Sequence, residues 1–89
     1  MTEELRNEIK ELFEVILSLK TQEDCENFFD DLCTYKELES MAQRVKTAKM
    51  IMEGKTYEQI IKETEISSAT LSRVSKCVKY GNGYKNFIK

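Results

Sequence analysis

The chain contains no proline, and its glycines stand in two places only, at Gly54 and at the pair Gly81 and Gly83. Proline interrupts helices because it lacks an amide proton, and glycine weakens them through its backbone entropy. Residues 1–53 therefore contain neither residue type. Apolar residues in that stretch recur every three or four positions, which is the spacing of one face of an α-helix. The sequence predicts an all-α fold.

Two helices are predicted in the N-terminal part of the chain. The first covers residues 3–18, and its apolar stripe consists of Leu5, Ile9, Leu12, Phe13, Ile16 and Leu17. Thr21 can accept a hydrogen bond from the first-turn amides of a second helix. The expected buried face of that helix consists of Cys25, Phe28, Phe29 and Leu32. So short a stretch cannot bury all these side chains, which favours a second copy of the chain as their partner. Burial by later helices of the same monomer is the alternative.

A long helix is predicted next. Thr34 and Glu37 form a T-x-x-E capping box, in which each residue satisfies a free amide of the other. Gly54 ends the helix in a left-handed conformation. Its expected apolar side consists of Leu38, Met41, Val45, Ala48, Ile51 and Met52.

Residues 56–74 have the pattern of a helix-turn-helix. A T-x-x-Q capping box at Thr56 opens a short helix at about 57–64, and Ser67 caps a second helix at about 68–79. The residues expected to form the shared core are Ile60, Ile61, Ile66, Leu71 and Val74.

The turn between these two helices has Glu65 where a glycine is usual. Glutamate tolerates a left-handed backbone less well than glycine does. The sequence therefore predicts an atypical turn geometry.

A helix-turn-helix binds DNA through the N-terminal residues of its second helix, while its first helix crosses the backbone. Here that helix start carries small side chains that allow close approach to base edges, namely Ser67, Ser68, Ala69, Thr70 and Ser72. The contacts expected with phosphate come from Lys55, Thr56, Gln59, Arg73, Lys76 and Lys79. Arg73 can also reach a guanine edge. The alternative is a pair of packed helices without a ligand.

The charge is distributed unevenly along the chain, and two interpretations of it stay open. Residues 1–40 hold 4 basic and 12 acidic residues, a net charge of −8, whereas residues 41–89 hold 10 basic and 4 acidic residues, a net charge of +6. Such asymmetry between halves is one indication of contact with nucleic acid. The alternative is that both halves are solvated helix faces.

The residue patterns that metal-binding, disulfide-stabilised, enzymatic or membrane-spanning proteins need are absent from this sequence. The chain has no histidine, and Cys25, Cys33 and Cys77 contain no C-x-x-C pair. We therefore expect neither a zinc site nor a disulfide framework, and interpret the cysteines as small buried residues in a reducing cytosol. No glycine-rich phosphate loop or nucleophile with a nearby base points to an enzyme or a cofactor. No apolar segment reaches the roughly 20 residues of a membrane span, so a cytoplasmic protein is predicted.

Residues 31–84 resemble the Trp repressor superfamily, and within it the Trp-repressor-related YerC/YecD family. The features that match in order are an acidic helix, the T-x-x-E start at Thr34, the Q-R-V run from Gln43, the E-G stop at Gly54 and the S-A-T-L-S-R run at Ser68–Arg73. No single feature is specific, but the ordered set is.

This resemblance implies a Trp-repressor-like intertwined helical homodimer, in which the N-terminal helices of one chain wrap into the other. Residues 1–89 are then a single domain, with a dimerisation core at 1–54 and a DNA-binding head at 55–80. It implies a sequence-specific transcriptional regulator of double-stranded DNA, expected to be a repressor. The alternative function is a helical protein-interaction module without specific DNA binding, whose acidic helices dock on a partner such as a polymerase.

The same resemblance implies a pocket for a small effector, which is L-tryptophan in the Trp repressor itself. The positions that match this pocket are Thr34, Arg44, Arg73 and Cys77. Cys77 stands where the repressor has a serine that contacts the ligand amine. Arg44 can instead pair with Glu37, Glu39 or a carboxylate of the partner chain.

Overall fold

The computed structural model describes all residues, Met1–Lys89, and contains six α-helices and no strand. The helices are α1 (Glu3–Leu17), α2 (Gln22–Leu32), α3 (Tyr35–Met52), α4 (Tyr57–Thr64), α5 (Ser68–Tyr80) and α6 (Tyr84–Phe87). The all-α prediction is confirmed, and the three helices whose ranges were predicted match within one residue. The short helix α6 was not predicted. No helix has the length and apolar character that a membrane span requires.

The chain forms two compact units, an N-terminal unit (Met1–Tyr35) and a C-terminal unit (Lys36–Lys89). This boundary falls inside the segment 1–54 that was predicted as the dimerisation core. The assignment of that segment to dimerisation, and of 55–80 to DNA binding, stays a prediction.

Hydroxyl caps start both helices of the N-terminal unit. Thr2 Oγ1 accepts a hydrogen bond from the Leu5 amide at 3.1 Å, and Thr21 Oγ1 accepts one from the Asp24 amide at 3.0 Å. Each bond satisfies one of the amides that a helix start leaves without an intrahelical partner. The predicted Thr21 cap is confirmed, whereas the Thr2 cap was missed.

The apolar side chains of the N-terminal unit are not buried. Neither α1 nor α2 contains a buried residue, and Phe13 is 56% exposed. Phe28 and Phe29 pack edge to face with ring centroids 5.5 Å apart, but both are only half-buried. The expected buried face of α2 is therefore wrong for a single chain, since Cys25 and Leu32 are exposed. Two short helices supply too little surface to enclose their own apolar stripes.

Every buried side chain lies in the C-terminal unit. Met50 of α3, Ile60 of α4, Ile66 of the following turn and Leu71 of α5 form one apolar cluster, in which each is at most 4% exposed. Full burial of such a side chain is favourable by about 1.5–3 kcal/mol. This cluster therefore holds α4 and α5 to the end of α3.

The predicted apolar side of α3 is only partly right. Ala48 is buried, but Thr47 and Met50, which the pattern missed, are buried beside it. Two of the other predicted residues are half-buried, Met41 and Ile51, and three are exposed, Leu38, Val45 and Met52. The amphipathic pattern identified a face, but burial follows the position of the apolar cluster at the C-terminal end of α3.

The expectation of buried cysteines is also wrong. Cys25 is exposed, Cys33 and Cys77 are half-buried, and all three are free thiols. Cys33 comes directly after α2 in the N-terminal unit, while Cys77 lies on α5, which packs through other residues.

The hydroxyl of Thr47 is fully buried and has no hydrogen-bond partner. Thr47→Val keeps the side-chain shape and removes a desolvation cost of about 1–3 kcal/mol for an unsatisfied buried group. We expect the free energy of unfolding to stay equal or to rise by about 1 kcal/mol, measured by urea denaturation at fixed protein concentration.

Thr64→Val is the matched control. The Thr64 hydroxyl donates to the Ile60 carbonyl oxygen at 2.7 Å and accepts from the Ile66 amide at 3.3 Å. Its loss is expected to lower the free energy of unfolding by about 1–2 kcal/mol. Equal destabilisation by the two substitutions would contradict this account of Thr47.

Candidate nucleic-acid interface

α4 and α5 pack through a small apolar core and are joined by the short turn 65–67. Four of the five predicted core residues are buried, namely Ile60, Ile66, Leu71 and Val74. The prediction for Ile61 is wrong, because it is 41% exposed. Successive helical residues point about 100° apart, so Ile60 and Ile61 cannot both face α5.

Both helices begin with side-chain caps, as predicted. At α4, Thr56 Oγ1 accepts from the Gln59 amide at 3.2 Å, while Gln59 Oε1 accepts from the Thr56 amide at 2.9 Å. At α5, Ser67 Oγ accepts from the Thr70 amide at 3.2 Å and donates to Thr70 Oγ1 at 2.9 Å. These bonds fix the two helix starts that are expected to face DNA.

The turn between the helices has the usual left-handed residue despite the absence of glycine. Glu65 adopts φ 57° and ψ 20°, and its amide donates to the Ile61 carbonyl at 3.0 Å. The expectation of an atypical turn is therefore wrong at this position. A glutamate can occupy this conformation at a modest cost in steric strain, and packing of the flanking residue Ile66 holds it there.

A side chain of α3 anchors this turn. Gln43 Nε2 donates to the carbonyl oxygen of Thr64, the last residue of α4, at 2.6 Å. This bond satisfies one of the carbonyls that the end of α4 leaves without an intrahelical partner. The two residues are 21 positions apart, so no local sequence pattern could have identified Gln43 as a support of the site.

α5 has one buried face and one solvent-facing side. Leu71 and Val74 form the buried face. Among the predicted DNA contacts, Thr70 is half-buried. The remaining predicted contacts are exposed, namely Lys55, Thr56, Gln59, Ser67, Ser68, Ala69, Ser72, Arg73, Lys76 and Lys79. The predicted base-reading and phosphate-binding residues are therefore accessible.

The exposed side of α5 is basic. The helix carries Arg73, Lys76 and Lys79 and no acidic residue, and the C-terminal unit holds 11 basic against 6 acidic residues. Lys79 lies 5.5 Å from the ring centroid of Tyr80. Lys55 forms an ion pair with Glu63 at 3.7 Å, but both side chains are substantially exposed, so this pair contributes little and can exchange for a phosphate.

An apolar groove of about 490 Å³ lies beside the C-terminal end of α5. It is lined by Val45, Cys77, Gly81, Gly83, Tyr84, Phe87 and Ile88. Of the four residues of the predicted effector pocket, this groove includes Cys77 alone. Arg44 donates from Nε to the Ser40 carbonyl at 3.3 Å, Arg73 is exposed on α5, and Thr34 belongs to the N-terminal unit. The effector pocket stays a prediction.

An all-α chain whose last long helix presents a capped, polar and basic face beside a short partner helix belongs to the helix-turn-helix class. The Trp repressor protein family matches residues 7–89, nearly the whole length. The chain belongs to the Trp repressor family.

A curated relative and two solved structures are similar to this chain. The uncharacterised protein YerC of Bacillus subtilis (strain 168) is 55% identical over 75 residues, which cover 84% of this chain and 72% of that protein. A crystal structure of a proposed Trp repressor from Staphylococcus aureus is 46% identical, with a TM-score of 0.83, and the match covers 89% of this chain and 80% of that one. A TrpR-like protein from Eubacterium eligens is 44% identical with a TM-score of 0.84, covering 89% and 82% of the two chains.

The left-handed conformation of Glu65 predicts an order of stabilities for substitutions at this position. Glu65→Gly removes the steric strain but adds unfolded-chain entropy, so we expect a change within about 1 kcal/mol. Glu65→Val places a β-branched side chain in the left-handed region and is expected to cost about 1–2 kcal/mol. Chemical denaturation measures both.

Glu58, on the exposed surface of α4, is the control position. There the order should reverse, since Glu58→Gly costs about 1 kcal/mol in a helix and Glu58→Val costs less. The same order at positions 58 and 65 would show that the conformation of Glu65 does not govern the effect.

Proposed function

We propose that the protein is a sequence-specific double-stranded DNA-binding transcriptional regulator that acts as a homodimer and represses its target genes. In each protomer α5 enters the major groove. The observation that carries this proposal is the exposed face of α5, which combines small polar residues at the helix start with three cations further along. Membership of the Trp repressor family supports it.

The helix start reads the bases. Ser68, Ala69 and Ser72 are exposed and short, so they allow the helix backbone to approach base edges closely. The hydroxyls of Ser68 and Ser72 can donate or accept, and the Ala69 methyl can contact a thymine methyl. Ser67 and Thr70 contribute chiefly by holding the helix start, because their hydroxyls bond to each other.

The phosphates are held on both sides of this reading surface. Arg73, Lys76 and Lys79 lie on successive turns of α5. At the start of α4, Lys55 and the free amides of the first turn bind a second phosphate, aided by the helix dipole. In the capping box the side-chain oxygen Oε1 of Gln59 accepts from the Thr56 amide, which leaves the side-chain NH2 group of Gln59 as a donor.

A second copy of the chain completes the molecule. The apolar stripes of α1 and α2 are only partly covered in the single chain, where Phe13 and Leu17 are exposed, and contiguous exposed apolar side chains usually mark a contact surface. The N-terminal unit carries 3 basic and 10 acidic residues, while the C-terminal unit has the opposite excess. This charge complementarity favours contact between the N-terminal unit of one protomer and the C-terminal unit of its partner.

Dimerisation is tested with Phe13→Asp, which places a charge in the exposed apolar stripe of α1. We expect the substitution to shift the protein from dimer to monomer at micromolar concentration in analytical ultracentrifugation. Burying the new carboxylate in an apolar dimer interface, with no opposite charge beside it, is strongly unfavourable. Asn7→Asp, an exposed polar position on the same helix, is the control and should leave the dimer intact. A wild-type monomer at high concentration would overturn the proposed dimer.

Specific binding is tested by selecting sites from random duplex DNA and titrating salt on the selected operator. With roughly four cations on each head, the slope of log K against log salt should be about −7 for a dimer.

The selection is run with and without L-tryptophan. The groove beside Cys77 includes neither Arg44 nor Arg73, the two cations of the predicted effector pocket, so we expect the same operator in both. Failure to enrich any sequence at low salt would favour the protein-interaction module.

Arg73→Ala is the companion variant, expected to weaken operator binding by about 1–3 kcal/mol per head. If Arg73 reads a guanine, discrimination falls at one base pair, and if it holds a phosphate, all sequences are affected alike. Lys85→Ala removes a cation outside the proposed interface and should change affinity by less than about twofold, since distant exposed charges are screened.

A further inference from the structure

One side-chain hydrogen bond joins the two helices of the helix-turn-helix. The hydroxyl of Tyr57, the first residue of α4, donates to Ser75 Oγ in the middle of α5 at 2.5 Å. The two residues are 18 positions apart, and nothing in the capping or core pattern of the sequence points to them. Tyr57 is 48% exposed, whereas Ser75 is half-buried.

This bond supplies a constraint that the apolar core lacks. Ile60, Ile66 and Leu71 keep α4 and α5 in contact. Apolar contacts are not directional, so a small sliding or rotation of one helix on the other costs little free energy. A hydrogen bond weakens steeply when its angle or distance changes. The Tyr57–Ser75 bond therefore restricts how far α5 can shift along α4.

The two ends of the bond lie beside the two kinds of proposed DNA contact. Tyr57 follows Thr56, where the start of α4 holds phosphate, and Ser75 lies between Arg73 and Lys76 on α5. The bond therefore sets the offset between the phosphate-binding end of α4 and the base-reading face of α5.

We propose that Tyr57 and Ser75 are a positioning pair, which holds α5 in the register that lets its N-terminal residues meet base edges once α4 is seated on the backbone. This proposal rests on the proposed DNA-binding function. Neither residue needs to touch a base. Loss of the bond leaves the cations in place but lowers the fraction of protein in the aligned state, and the apparent dissociation constant rises as that fraction falls.

The expected effect follows from the modest strength of a hydrogen bond. Its loss should lower the equilibrium constant between the aligned and shifted states about fivefold in each head, so the aligned fraction falls by at most about fivefold. Operator binding of a two-headed dimer should therefore weaken by roughly three- to 25-fold. Binding to random DNA, which depends on phosphate contacts, should change by less than about twofold.

The test is a double-mutant cycle on the full chain with Tyr57→Phe, Ser75→Ala and the double variant. Affinities are measured for the selected operator and for random duplex, and thermal unfolding is followed in parallel. We expect each single variant and the double variant to lose operator affinity to the same extent, because all three lack the same bond. Tyr35→Phe and Ser40→Ala remove exposed hydroxyls elsewhere and should bind as the wild type does.

Other outcomes overturn the positioning role. If Tyr57→Phe weakens binding and Ser75→Ala does not, the tyrosine hydroxyl contacts DNA directly. If the losses multiply in the double variant, the two residues act independently. If the wild type selects an operator and the variants bind it equally well, only the positioning role is wrong. If the wild type selects no operator, both the positioning role and the proposed DNA-binding function are wrong.

Discussion

The structure of the C-terminal unit depends on the burial of one small apolar cluster, in which Met50, Ile60, Ile66 and Leu71 meet. In a chain this short no second buried cluster supports the helix-turn-helix. The cluster brings one side of α5 against α4 and the end of α3, and so turns the polar and basic side outward. The proposed interface is thus a consequence of which few side chains are excluded from water.

Polar contacts add the direction that apolar packing lacks. The reciprocal bonds of Thr56 with Gln59 and the bonds of Ser67 fix the starts of α4 and α5. Gln43 holds the last carbonyl of α4 from a neighbouring helix, next to the left-handed residue Glu65. A reading helix needs such directional restraints, because a shift of about one ångström is enough to lose hydrogen bonds to base edges.

The N-terminal unit presents the opposite situation. Its helices are well capped and strongly amphipathic, yet none of their residues is buried within the chain. Large exposed side chains such as Phe13 and Leu17 are unusual for a domain that acts alone. A homodimer, as proposed, would give these faces a function, since it would also set the distance between two DNA-binding heads on one duplex.

The sequence by itself determined the helices, because caps and helical periodicity depend on residues three or four positions apart. Thr21, Thr56 and Ser67 were identified as caps for that reason. The solvent-facing residues of α5 also followed from one local pattern. Ordered motifs over residues 31–84 were enough to place the chain in its family.

Only the tertiary structure decided which apolar residues are buried. Ile61 is exposed beside buried Ile60, and Cys25 is exposed although it lies on an amphipathic face, because burial depends on what another element brings to that face. The side chains that hold the proposed interface in place could not be predicted from local sequence patterns either. Gln43 reaches Thr64 and Tyr57 reaches its partner on α5 across 21 and 18 residues, and contacts at such separations exist only once the chain has folded.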